Sequence, residues 1–301
     1  MKRFDMHIHL EPPYRSAQDD SLAQEALKNL AEAGLDGGCI FSPNPKDRDQ
    51  RFIPYQQRMD ALLAYTRGHE DRLFPVFWVH PDEPDAQEHI LDAAKKGVVA
   101  YKMICDSYYV YEEKCMKLLR LIASLHKPVI FHSGILWTGS ENGKYNRPLH
   151  WEALIDIPGL RFSMGHCSWP WHDECIAMYG KFLNHLITYQ SEEPCEMFFD
   201  ITPGTPPIYR RDLLYKLFHI GYDVANNVIF GSDSIISAYQ PAWVQGWMKR
   251  DDALYAEFGL PDKILQKIYH DNLMRFLGLS DEKVTHILPS QTEESSVRLF
   301  E

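Results

Sequence analysis

Eight short apolar runs, each followed by a stretch of different periodicity, set the pattern of this chain and leave few folds open to it. They cover residues 3–8, 38–42, 73–79, 98–104, 128–132, 161–166, 196–201 and 228–231, and are rich in the β-branched and aromatic residues of strands. Between them, apolar residues recur at helical spacing. In 21–33, Leu22, Ala26, Leu30 and Ala33 line one face and Gly34 follows as a stop; 85–96 before Gly97, 112–126 and 263–277 read the same way. Strict alternation requires parallel strands joined by helical crossovers, and eight such units close most naturally into a (β/α)8 barrel of the TIM type. A doubly wound open sheet is the alternative, but no Gly-rich phosphate loop follows the first run, where such folds usually carry one. The 301 residues suit a single barrel, taken over 1–279, with a polar tail at 280–301 expected to be partly disordered.

A barrel presents its chemistry at the C-terminal ends of its strands, and there the sequence places unusual residues. Asp5, His7 and His9 alternate along the first run, which predicts that all three side chains leave one face ~6.5 Å apart. His132 closes the fifth run, His166 the sixth, and Asp233 follows the eighth. A lone strand-end histidine is ordinarily a hydrogen-bonded core residue; four histidines and an aspartate on one face are better explained as ligands. The expected site holds a divalent cation through His7, His9, His132, His166 and Asp233. Asp233 is suited to be ligand and proton acceptor, and His166 to be a fourth imidazole ligand or the acid that protonates a leaving group.

The surrounding segments resemble the amidohydrolase-related family, relatives of the aminocarboxymuconate semialdehyde decarboxylases. The resemblance rests on Asp5-Met6-His7-Ile8-His9-Leu10, Val99-Ala100-Tyr101-Lys102-Met103, Phe131-His132-Ser133-Gly134, Leu149-His150-Trp151-Glu152, Pro158-Gly159-Leu160-Arg161-Phe162, Met164-Gly165-His166, Phe230-Gly231-Ser232-Asp233 and 272–279, in that order. It implies a metal-dependent barrel with His7, His9, His132 and Asp233 as ligands of one divalent metal, usually zinc, with manganese or a second metal as alternatives, and His166 acting on substrate or water. Lys102 matches the position where binuclear relatives carry a metal-bridging carboxylated lysine; a substrate contact is preferred here. After His166 the chain reads Cys167-Ser168-Trp169-Pro170-Trp171-His172, a departure from the family's more Gly-rich loop that bears on substrate rather than metal.

Further residues expected on the catalytic loops are Arg48, Arg51, His80, Tyr108, Tyr109, Trp137, Arg147, Trp169, Trp171 and Arg210. Of these His80, Trp137, Arg147 and Trp169, with Lys102, are taken as the substrate-binding set, because aromatics plus an arginine suit a planar or carboxylated organic molecule. Asp200 is open between a group supporting the ligands and an ordinary buried carboxylate. The leading reaction is hydrolysis of an amide, cyclic amide or lactone by metal-activated water; the alternative is non-oxidative decarboxylation of an unsaturated or aromatic acid. A trinuclear phosphoesterase would need an Asp-x-His pair where Asp233 is followed by Ser234 and Ile235.

The 42 acidic residues against 31 basic ones, a net charge of −11, argue against nucleic acid or anionic membrane as partners and leave a small-molecule substrate, with homo-oligomers open. Six cysteines without a C-x-x-C pair read as reduced thiols. With no apolar leader and no membrane-length apolar stretch, the expectation is a cytoplasmic enzyme.

Overall fold

The computed structural model describes residues 1–15, 17–189, 192–204, 206–280, 284 and 286. Its strands are β1 (Phe4–His9), β2 (Gly37–Phe41), β3 (Leu73–Trp78), β4 (Ala100–Met103), β5 (Val129–Phe131), β6 (Arg161–Met164), β7 (Glu196–Asp200), β8 (Val228–Ile229) and β9 (Ser234–Ile235). The helices are α1 (Ser21–Ala33), α2 (Tyr55–Thr66), α3 (Ala86–Lys95), α4 (Glu113–Ser124), α5 (His172–Tyr189), α6 (Pro207–His219), α7 (Pro241–Glu257), α8 (Asp262–Gln266) and α9 (Asn272–Leu277). The strands pair in parallel in the order β8-β7-β6-β5-β4-β3-β2-β1-β9. The fold is the (β/α)8 barrel that the alternation predicts.

Closure occurs at one seam. Met6 N–H donates to the carbonyl of Phe230 and Asp233 N–H to that of His7, both at 3.0 Å, while β9 pairs with β1 from Ile8 and Ser234 onward. β8 and β9 are thus two pieces of one interrupted strand, and the interruption carries Asp233. The crossover from β5 to β6 departs from the alternation, running through two 3-10 turns, Gly143–Asn146 and Pro148–Leu154.

Inside the barrel, Phe4, Met6, Cys39, Phe41, Phe74, Val76, Ala100, Ile130, Phe198 and Ile229 form an apolar plug, sealed by Leu273, Phe276 and Leu277 of α9. The helix expected over 263–277 is divided, because a π turn at Lys267–Asp271 separates α8 from α9. In that turn the Ile268 carbonyl accepts the Phe230 N–H at 3.1 Å, so a helix distortion pins the strand leading to Asp233. Most of the 280–301 tail lies outside the described residues; within it, His286 sits 3.3 Å from Glu196 and 3.4 Å from Asp223.

All six cysteines are buried and unbridged, and among the described residues no helix is long and apolar enough to cross a membrane. In the outer layer, Arg210 of α6 donates from Nε and Nη2 to the two oxygens of Asp251 of α7, at 2.8 and 2.6 Å, with both side chains fully buried. Removing one member of a buried ion pair leaves the other charge uncompensated. Asp251→Ala is therefore expected to lower the stability measured by urea unfolding by about 3–5 kcal/mol, and the double replacement Arg210→Met, Asp251→Leu to recover most of that loss.

Candidate active site

The first-strand residues reach the barrel mouth by a bulge. Asp5 pairs with Gly38 but Ile8 with Ile40, so β1 spends three steps where β2 spends two. An extra residue of this kind re-aims the side chains that follow it. A Cβ built on Gly38 would come within 3.2 Å of Asp5 Cβ and 2.9 Å of Ile8 Cδ1, which places Asp5 and Ile8 on one side of the sheet. Ile8 belongs to the apolar layer outside the plug. His7 and His9 instead lie over the ring of Phe41, a residue of the plug, at centroid distances of 4.7 and 5.3 Å. The simple alternation that put Asp5, His7 and His9 on one face is corrected: the bulge turns Asp5 away from the mouth.

At the mouth, His7 Nε2 lies 3.2 Å from His9 Nε2, 3.6 Å from Asp233 Oδ1 and 3.4 Å from Lys102 Nζ, and His9 Nε2 lies 3.1 Å from Asp233 Oδ1. One ligand atom from each of His7, His166 and Asp233 falls within 4.8 Å of the others. His132 packs its ring 5.0 Å from that of His166, and its Nε2 is buried without a hydrogen-bond partner. Neither His166 nor Asp233 sits on a regular strand end. β6 stops at Met164, and His166, Cys167 and Ser168 follow with φ of 58°, 44° and 57°; Asp233 has φ 61°. Four non-glycine residues in the left-handed region mark a backbone held by its surroundings. Part of that hold is visible, since Ser168 Oγ–H donates to Ser133 Oγ, which donates to the Gly165 carbonyl.

Asp200 stands at the end of β7, facing His7. Its Oδ2 accepts from His7 Nδ1 at 2.5 Å, and its Oδ1 accepts from the backbone N–H and the hydroxyl of Thr202. Burial would raise this carboxyl, but the His7 contact holds it below the usual carboxylate range. Burial, with the Lys102 ammonium beside it, pushes His7 down to about 3. His7 is thus a neutral imidazole with its proton on Nδ1 toward Asp200 and a lone pair on Nε2. That lone pair faces the Asp233 carboxylate, partly desolvated but 36% exposed, which His9, His166 and His7 hold well below its ordinary value. An Nε2 lone pair, a second imidazole and a carboxylate oxygen converging within 3.6 Å fit a shared cation.

The cluster opens into a cavity of about 380 Å³ lined by His7, His9, Lys102, His132, His166 and Asp233 below and by Ile104, Ile135, Leu136, Trp137 and Trp169 above. Trp137, 78% exposed, stacks on Trp169 at the rim. Lys102 is fully buried on the floor, over the Phe41 ring, and burial lowers its ammonium to about 8. Two members of the expected substrate-binding set do not line this cavity. His80 is committed to Lys46 and Asp106, each 3.0 Å from its Nε2. Arg147 is paired with Glu174 at 2.5 Å and lies over Trp171. Of the other loop residues considered, Arg210 is spent on Asp251, Tyr108 is fully buried, and Tyr109 stacks on Tyr111. Arg48 and Arg51 line a neighbouring groove instead.

The sequence profile of the amidohydrolase family matches residues 4–279. This chain belongs to the amidohydrolase family. Members of that family generally depend on divalent metals and act on small molecules, and the convergent His/His/Asp groups of this amidohydrolase are a possible metal site. No protein of curated function matches the sequence. Solved structures share the fold at low identity. A probable 2-pyrone-4,6-dicarboxylic acid hydrolase from Acinetobacter baumannii is 14% identical with a TM-score of 0.60, over 92% of this chain and 100% of that one. The 2,6-dihydroxybenzoate decarboxylase from Rhizobium is 13% identical with a TM-score of 0.62, over 92% and 99%. A dihydroorotase from Campylobacter jejuni is 14% identical with a TM-score of 0.56, over 94% and 85%.

The cavity of this amidohydrolase also includes Glu11, Ser133 and Gly204, which stand two to four residues beyond their strands on irregular loops, and Ile235 of the short strand β9; sequence reading did not pick them out. Gly231 carries a tighter constraint: a Cβ there would meet Thr202 Oγ1 at 2.2 Å and His7 Cβ at 2.8 Å. Gly231→Ala is expected to cost about 1–3 kcal/mol by overpacking, read as a lowered midpoint in thermal unfolding.

Proposed function

We propose that this chain is a metal-dependent hydrolase that opens an amide, cyclic amide or lactone bond of a small organic substrate. The observation that carries the reading is the convergence of His7, His9 and Asp233 within 3.6 Å beneath a cavity of about 380 Å³. His7, His9, His132 and Asp233 would hold one divalent ion, zinc by preference, with Asp200 fixing the tautomer of His7. When bound, that ion supplies Lewis-acid polarisation of a substrate oxygen and acidification of water. Asp233 would accept the proton of the attacking water. His166, its Nδ1 turned 3.3 Å from the Thr202 carbonyl and its ring at the cavity wall, would deliver a proton to the leaving group. Lys102 on the floor would meet an anionic substrate oxygen, and Trp137 and Trp169 would cover a planar ring and exclude water.

The second reading, non-oxidative decarboxylation, is favoured by the apolar roof of Ile104, Ile135, Leu136, Trp137 and Trp169, which suits an aromatic acid. Incubation with panels of lactones, cyclic amides and hydroxybenzoates separates the two. Ring opening with acid release, lost in Asp233→Asn, is the expected result; CO₂ release from the hydroxybenzoates would give the assignment to the lyase. Metal analysis after zinc loading is expected to give close to one equivalent per chain, and absence of uptake of zinc or manganese would sink both readings. Asp200→Ala is expected to weaken metal affinity by about 10–100-fold in a competitive chelator titration.

A further inference from the structure

Asp5 belongs to neither the plug nor the cavity, yet it is fully buried in a seam of the barrel. Its Oδ1 accepts two backbone N–H groups, that of His7 at 3.0 Å and that of Ser232 at 2.9 Å. One donor precedes His9 on β1; the other immediately precedes Asp233 on the interrupted eighth strand. These amides lie where regular pairing fails, at the bulge in β1 and in the break between β8 and β9. Without Asp5, two buried donors would lose their acceptor and be left unsatisfied.

From this geometry we infer that Asp5 is a positioning residue. It clips the first and eighth strands together at the bulge and so sets the separation of His7 and His9 from Asp233, three groups that lie 3.1 to 3.6 Å apart. The inference rests on the metal reading only for its consequence, since the clip itself is a pair of hydrogen bonds. It requires an oxygen acceptor at that place and no more. Asparagine supplies one in the same shape, whereas alanine supplies none.

The test compares the wild-type chain with Asp5→Asn and Asp5→Ala by two readouts. The first is amide hydrogen exchange at His7 and Ser232. Both amides are expected to be protected in the wild type and in the asparagine variant, and to exchange at least tenfold faster in the alanine variant while the amides of β3 and β4 stay unchanged. Equal protection in all three proteins overturns the clip, whether or not the protein takes up metal. The second readout is the visible absorption of the cobalt-loaded protein and its cobalt affinity. A changed band shape and at least tenfold weaker binding in Asp5→Ala, restored in Asp5→Asn, are expected. An alanine variant that melts earlier but binds cobalt with the wild-type spectrum and affinity would show Asp5 to be structural alone and overturn its positioning role. A wild-type chain that takes up no cobalt would refute the metal reading and the ligand-setting role together, leaving the exchange result to decide the clip.

Discussion

A closed parallel barrel must bring its first and last strands together, and the rest of this structure depends on how that is done. Regular pairing fails on both sides of the seam: β1 carries a bulge and the eighth strand breaks into β8 and β9. Backbone bonds from Met6 to Phe230 and from Asp233 to His7 span the gap. The bulge lets Phe4 and Met6 enter the apolar plug and His7 and His9 follow them on the same side of the strand, which a regular strand forbids because its side chains alternate. The break leaves Asp233 with a positive φ and its carboxylate beside those imidazoles.

Above the plug the barrel becomes polar within one layer of residues. Lys102, His132, Asp200 and His7 stand on the positions that follow Ala100, Ile130, Phe198 and Met6 and are all buried, while His9 lies further out and is half-buried. Burial pushes His7 and Lys102 toward their neutral forms, while Asp200 and Asp233 keep their charge because imidazoles stand against them. The result is a site in which a neutral imidazole nitrogen and charged carboxylates stand side by side, the condition a divalent cation needs.

The barrel was legible because its strands are apolar runs with a fixed partner in sequence order: β1 to β8 each begin and end within two residues of the run that announced them, whereas β9, the second piece of the interrupted last strand, was not announced. The helix 21–33 was legible to the residue, since its apolar spacing and Gly34 both mark it. What was illegible depends on distant partners or on irregular backbone. Nothing in the local sequence says that Arg147 meets Glu174, that His80 meets Lys46 and Asp106, or that Arg210 meets Asp251. A polar residue after a strand reads as available until its partner is known. The face of Asp5 was misread for the second reason, because a bulge has no clear signature in an alternating run. Asp200 was half legible: its place at a strand end was visible, but its hydrogen bond to His7, 193 residues away, was not.

The π turn at Lys267–Asp271 links parts of the molecule that a barrel usually keeps separate. Its Ile268 carbonyl holds Phe230, three residues before Asp233, while the next helix plugs the opposite end of the barrel with Leu273, Phe276 and Leu277. The sealed end of the barrel and its open mouth thus share one short strand as a common anchor. The route from α9 to Asp233 is a continuous stretch of backbone, held by a main-chain hydrogen bond rather than by side-chain contacts.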